Sequence, residues 1–223
     1  MQPDTALERR QALARASQGA SREAIYRRAA ALLQGAWRGG GILLDVGCGR
    51  GALYHSAGGI FENYWGADLV AYEDFPPQGR FIASDLNTGP LPLPDGCADA
   101  VASLETIEHL ENPRGFLREL ARLAKPGGLV LVSTPHQLSW LSLATLLRRG
   151  EYNDFQARPG LYPAHITALL PVDLLRMAAE CGLQEARIAY SHSGRMPGGA
   201  RHWPWPLRGP RFSDQVFLLA RKQ

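Results

Sequence analysis

The chain has 223 residues, 45% of them hydrophobic, and a net charge of +3 from 24 basic and 21 acidic side chains. That length suits one decorated α/β domain with a sizeable core and is short for two. No apolar run reaches the roughly 18 residues of a membrane helix, Met1-Gln2-Pro3-Asp4 opens no secretory h-region, and the scattered Cys48, Cys97 and Cys181 make neither a disulfide framework nor a zinc site. A soluble, cytoplasmic protein is the expectation.

Charge is uneven along the chain. Residues 1–40 carry 7 basic and 3 acidic side chains, residues 41–111 carry 2 and 11, and residues 193–223 carry 6 and 1. An acidic centre would repel phosphates, so no nucleic-acid partner is expected; a cationic small molecule is compatible with it.

In chain order, residues 1–20 read as a fraying helix. Ser21 is placed to cap a second one, with Ile25, Ala29, Leu32 and Ala36 as its apolar stripe and Gly39-Gly40-Gly41 as its end. Residues 1–40 thus form an N-terminal helical segment ahead of a main domain at 41–223. Ile42–Val46 reads as a buried parallel strand that opens into glycines. Tyr64–Asp68 and Arg80–Asp85 are two further strands, each running into an aspartate, and Ala98–Leu104 is a fourth. A helix capped by Asn112, with Pro113 in its first turn and Phe116, Leu120 and Leu123 as its stripe, stops at Lys125-Pro126-Gly127-Gly128. Leu129–Thr134 is the strongest strand signal. An insertion at about 135–165 follows, comprising a helix at 137–149 and a loop at 150–165. Then come a helix from Pro171 to Cys181 closed by Gly182, a strand at Leu183–Tyr190, a long loop at 193–211 and a last strand at Gln215–Ala220. Strands alternating with helices predict a parallel sheet covered on both faces.

The run Gly47-Cys48-Gly49-Arg50-Gly51-Ala52 fits G-x-G-x-x-(G/A) and lies between a strand and a helix. Two cofactors exploit such a turn: a nicotinamide dinucleotide and S-adenosylmethionine (SAM). Asp45 discriminates between them. A carboxylate there would sit near a dinucleotide's pyrophosphate, whereas SAM has no phosphate and carries an amino group and a sulfonium. Asp45 either reaches that amino group through water, orients the loop, or caps its N–H groups. Asp68 is positioned for the ribose hydroxyls and Asp85 for the adenine amino group, all at the carboxyl ends of strands, where open α/β sheets bind ligands.

At this point the chain resembles class I SAM-dependent methyltransferases. The resemblance rests on Leu44–Gly51, Gly66-Ala67-Asp68-Leu69, Asp85-Leu86 followed by Leu91–Asp95, Leu104–Leu110, and Leu123–Gly128. It implies a Rossmann-like, seven-stranded, mostly parallel sheet in the order 3-2-1-4-5-7-6 with the seventh strand reversed. It also implies that Asp45, Gly47, Cys48 and Gly49 cradle the methionine part, Asp68 and Leu69 the ribose, and Asp85 and Leu86 the adenine, with Glu105 beside the cofactor. The product would be S-adenosylhomocysteine (SAH). A second likeness, through Ser133-Thr134-Pro135-His136, Leu147-Arg148-Arg149-Gly150 and His165-Ile166-Thr167, is to methyltransferases of cell-surface glycan or glycolipid assembly. Glu108-His109-Leu110 resembles quinone-type O-methyltransferases.

Methyl transfer to a hydroxyl calls for a base, and His136 and His165, then His109, are the candidates. The acceptor is expected to be a small molecule, a glycan or a lipid-linked compound, methylated at oxygen. No metal-ligand spacing is recognised, so no metal is expected. The segment 137–149 is an acceptor lid, a membrane-surface contact or a helix packed on the core. His202-Trp203-Pro204-Trp205-Pro206 lines the acceptor pocket, a dimer interface or plain surface. Either a monomer or a homodimer fits. A domain that binds without turnover is disfavoured by the intact glycines and Asp68, and a nicotinamide dehydrogenase by Asp45 and the Lys125–Gly128 turn.

Overall fold

The computed structural model describes residues 5–16, 19–57, 59–156, 165–192, 194–198, 201–204 and 206–223. Met1–Asp4, most of the loop before His165, and Trp205 of the Trp-Pro loop lie outside the described residues. Seven strands, β1 (Ile42–Val46), β2 (Asn63–Asp68), β3 (Arg80–Ala83), β4 (Ala98–Leu104), β5 (Ala124–Pro135), β6 (Leu183–Tyr190) and β7 (Gln215–Lys222), form one sheet in the order β3-β2-β1-β4-β5-β7-β6. Strands β1 to β5 pair in parallel, and β7 runs antiparallel to both β5 and β6. This is the expected order with the expected reversed strand.

Alternation along the central strands builds two cores. Leu44 and Val46 of β1, Val101 of β4, Val130 and Val132 of β5, and Val216 and Leu218 of β7 face one side. Helices α4 (Pro113–Leu123) and α6 (Pro171–Glu180) cover that side with Phe116, Leu117, Leu120, Leu174 and Met177. Leu43, Ala100, Leu131 and Phe217 face the other, covered by α2 (Glu23–Ala36) and α3 (Ala52–Ala57) through Ile25, Ala29, Leu33 and Leu53. Helix α2 therefore belongs to the sheet's own layering. Helix α1 (Thr5–Ala16) lies ahead of it, and α5 (Trp140–Arg149) follows β5. No helix among the described residues is long and apolar enough to cross a membrane.

Two local expectations are corrected. Ser21 does not cap α2: the N-cap is Arg22, which makes no side-chain cap bond. The Ser21 N–H instead donates to the Tyr26 hydroxyl at 2.8 Å. Lys125–Gly128 does end α4 but is not merely a turn, because β5 already begins at Ala124, paired with Ala98. The register then jumps to Ala100↔Leu129, so the extra residues bulge out. Lys125 Nζ reaches Asp99 at 2.8 Å across the bulge.

Asn112 caps α4 as expected, its Oδ1 accepting from the Gly115 N–H at 2.8 Å, and Pro113 fills the first turn. Asn112→Ala is expected to cost about 1 kcal/mol of stability, read as a lower urea midpoint at unchanged slope. An unchanged midpoint would show that the cap contributes nothing.

Candidate active site

The carboxyl ends of β1, β2 and β4 converge on the glycine turn. Its backbone is tied to β2: the N–H groups of Gly47 and Cys48 donate to the Ala67 carbonyl at 2.7 and 3.2 Å. Gly47 has φ +78° and Gly49 φ +51°. A Cβ at Gly47 would collide with the Thr106 side chain, and one at Gly49 with the Gly19 carbonyl. Both positions therefore demand glycine for conformation and for close approach.

Asp68, at the end of β2, accepts the Gly49 N–H on Oδ2 and the Leu69 N–H on Oδ1, both at 2.7 Å. Oδ1 also accepts the Val70 N–H at 3.4 Å, so Oδ2 keeps the more available lone pair for a ligand hydroxyl. Asp45 is buried and accepts the Tyr64 hydroxyl at 2.7 Å. Burial pushes its carboxyl up to about 7; the Tyr64 bond holds it back and the Asp68 charge adds to the rise. Cys48 is buried in the same turn, and burial with the Asp45 and Asp68 charges raises its thiol, keeping it neutral. Asp85 is held from an unexpected direction: Arg10 of α1 reaches its Oδ2 with Nε at 2.9 Å and Nη2 at 2.8 Å, while Oδ1 accepts the Asn87 N–H. Leu86 packs half-buried on the core.

Glu105 follows β4 with φ +52°, a strained conformation for a non-glycine residue. Its N–H meets the Ser133 carbonyl at 3.2 Å, and the Ser133 hydroxyl donates to its Oε1 at 3.0 Å. Three residues on, Glu108 is 0% exposed, and among the described residues neither carboxylate oxygen has a hydrogen-bond partner. Burial raises both acids; the Asp154 charge adds to the rise in each, and the Glu105 charge raises Glu108 further.

The three histidines separate sharply. His136 is 1% exposed, with its ring against Tyr190 and its N–H on the Asp214 carbonyl, and burial lowers its pKa to about 4. It presents no ring nitrogen to an opening. His165 is brought to Glu108 by its own chain neighbours, since the N–H groups of Ile166 and Thr167 donate to the Glu108 carbonyl at 2.9 and 3.1 Å. Its ring lies 4.6 Å from that of His109 and 5.2 Å from that of Phe155, and its Nε2 is 3.9 Å from Glu108 Oε1. Nδ1 is 2.7 Å from the Asp154 carbonyl, which can only accept, so Nδ1 carries the proton and neutral Nε2 a lone pair. Burial lowers the His165 pKa, keeping it neutral at pH 7.

The donor atoms of Glu108, His109 and His165 lie within 4.8 Å of one another. That corrects the expectation that histidines and acids form no ligand-like cluster: the third member comes from 56 positions further along the chain. Sequence reasoning also missed an ionic network beside it, centred on the buried Asp214. Asp214 accepts Arg195 N–H at 3.0 Å, Arg195 Nε at 2.8 Å and Arg22 Nη1 at 3.2 Å. Arg195 Nη2 also lies 3.4 Å from Asp154 Oδ1. These residues come from a helix start and two loops, where no periodicity marks them.

The methyltransferase-domain family model matches residues 19–185, which run from α2 to the start of β6. The chain belongs to the class I SAM-dependent methyltransferase family. Among its relatives, the ubiquinone biosynthesis O-methyltransferase of Cronobacter sakazakii is 30% identical over 169 residues, covering 70% of this chain and 68% of that protein. A protein of Mycolicibacterium smegmatis named for SAM-dependent methyl transfer is 32% identical over 101 residues, 44% of this chain. The match spans only 39% of that relative's own length. A SAM-dependent methyltransferase from Archaeoglobus fulgidus shares the fold with TM-score 0.61 at 19% identity, over 91% of this chain and 95% of the other. So does the magnesium protoporphyrin IX methyltransferase of Synechocystis, crystallised with SAH, with TM-score 0.60 at 19% identity over 90% and 83%.

Proposed function

We propose that this methyltransferase domain binds SAM in the Gly47–Gly51 turn and transfers its methyl group to a hydroxyl oxygen of a small-molecule, glycan or lipid-linked acceptor. The observation that carries the reading is the pair of carboxylates at the turn. Asp68 bridges Gly49 and Leu69, and Asp45 lies buried behind it. A pyrophosphate would be repelled there, whereas a sulfonium and an ammonium are attracted. The cradle that excludes a Cβ at Gly47 and Gly49 fits a ligand pressed against backbone.

SAM, when bound, supplies a methyl carbon on a sulfonium, a leaving group that needs no acid. The protein's work is alignment and proton removal. Asp68 holds the ribose hydroxyls. Leu86 borders the adenine, and Asp85 faces it only while sharing its carboxylate with Arg10. Glu105 sits beside the methionine part. His165 Nε2 takes the acceptor's proton as the new oxygen–carbon bond forms and the carbon–sulfur bond breaks, leaving SAH. Glu108 and His109 position that ring. His136 is not the base, because its ring is sealed under Tyr190.

A second reading gives Glu108, His109 and His165 a divalent cation to hold, favoured by the close approach of their donor atoms. Chelator treatment separates the two. Loss of transfer restored by a divalent cation supports the second, and unaffected transfer supports the first.

The test of the main reading is calorimetry with SAH and with NADH, followed by transfer of a labelled methyl from SAM to a panel of phenols, sugars and prenylated phenols. NADH binding without SAH binding would overturn it. The Asp45 carboxyl gives a further expectation. A bound cation favours its ionised form, so SAM affinity should fall by up to about tenfold between pH 8 and pH 6, and Asp45→Asn should flatten that slope. For the empty fold the sign is opposite. The raised pKa contributes stability below the ordinary carboxylate value of 3.8, and that stability is lost as pH rises through about 7. A pH-independent SAM affinity in the wild type would remove Asp45 from the cation's surroundings.

A further inference from the structure

Helix α5 is only partly packed on the protein, with Leu141, Leu143 and Leu146 half-buried and a further apolar stripe left in the open. Its one fully buried residue is Ser142, whose Oγ accepts the Asn153 N–H at 3.3 Å. Leu147 is 89% exposed and Trp140 47% exposed. These two lie seven residues apart, two turns along one stripe, with Ala144 between them. Ser139 caps the helix and Gly150 ends it in the left-handed conformation, so the exposed stripe belongs to a complete helix.

Cations border that stripe. Arg148 stands exposed next to Leu147 in the last turn, while Arg149 lies on the Ser142 side with its Nη1 on Gln156 Oε1 at 2.6 Å. Arg211 lies over the Trp140 ring at 5.6 Å and donates to the Leu138 carbonyl at 3.0 Å. Four residues before Arg211, Leu207 is also exposed. An apolar stripe rimmed by arginines at headgroup height is the pattern of a helix lying in an anionic interface. A second copy seated on the same face about a two-fold axis would set Arg148 and Arg211 near their own counterparts, so the charge favours an anionic occupant.

We propose that the Trp140–Leu147 face of α5, with Arg148 and Arg211, docks on the anionic surface of a phospholipid bilayer. Because α5 follows the carboxyl end of β5, docking brings the ligand edge of the sheet to the bilayer. The inference does not depend on which acceptor is methylated.

The test is co-sedimentation of the full chain with phosphatidylcholine vesicles and with vesicles containing phosphatidylglycerol, at low and high salt. The expected result is binding to the phosphatidylglycerol vesicles, weakened by salt. Two variants, Trp140→Ala with Leu147→Ser and Arg148→Glu alone, should each weaken that binding by about tenfold or more. SAH affinity and thermal midpoint should stay unchanged as a check that the variants fold. Absence of wild-type binding to the phosphatidylglycerol vesicles would overturn the proposal, as would binding by both variants as tight as the wild type's. So would a wild-type dimer that Leu147→Glu splits into monomers, which would make the face an interface between copies.

Discussion

Asp68→Ala should weaken SAH binding at least tenfold, and by about a hundredfold if both ribose hydroxyls lose their acceptor together. Hydrogen bonds to a charged group contribute about 1.5–3 kcal/mol each, and every 1.4 kcal/mol is about tenfold in affinity. The carboxylate also anchors the turn, since the N–H groups of Gly49 and Leu69 are both its donors at 2.7 Å. The variant therefore loses ligand contacts and preorganisation at once. Asp68→Asn separates these contributions: its carbonyl oxygen can still hold one backbone N–H, but its amide donates where a carboxylate accepted. An intermediate loss is expected for it. Calorimetry with SAH measures both variants, and a thermal midpoint checks the fold. Unchanged SAH affinity in Asp68→Ala would show that the ribose lies elsewhere.

His165→Ala is expected to lower the turnover number by about 10²–10⁴, with SAH affinity within about twofold of wild type. The basis is geometric. The Asp154 carbonyl fixes the proton on Nδ1, so Nε2 is a lone pair beside the buried Glu108. Because burial holds the His165 pKa below its ordinary value, the acid limb of the rate profile should lie below pH 6.5. Methyl transfer from labelled SAM to whichever panel acceptor the wild type uses measures this. His136→Ala is the contrast: it leaves a cavity under Tyr190 and should lower stability more than turnover. A His165→Ala enzyme with wild-type turnover would mean that the acceptor needs no base from this residue.

The strand bounds of β1, β4 and β6 are legible in the chain residue for residue. Each is a short β-rich or apolar run bounded by glycine or an acid, and local chemistry suffices to delimit it. Helix α4 is equally legible through Asn112 and Pro113. The start of α2 is not, because Ser21 has the right residue type but the helix begins one residue later, with Arg22 in the cap position and no side chain capping it. The start of β5 is also hidden, because Lys125-Pro126-Gly127-Gly128 has turn chemistry and enters the sheet only through pairing with β4.

The site divides the same way. The glycine turn, Asp45, Asp68 and Asp85 are readable because each stands at or just past the carboxyl end of its own strand, and strand order alone gathers strand ends at one edge. By itself the sequence determined the alternating pattern, the turn and the carboxylates beside it. Those fix the sheet and the methyl donor expected of the family. Only the tertiary structure decided that His165 meets Glu108 and His109 while His136 is sealed under Tyr190, that Arg10 shares Asp85, and that Glu108 is fully buried. It alone shows that α5 turns Leu147 and Trp140 outward. The physical reason is range. Capping, turn geometry and hydrophobic period act within a few residues and leave a mark in local sequence. Burial and charge pairing arise between segments such as residues 108 and 165, which meet only once the chain has folded.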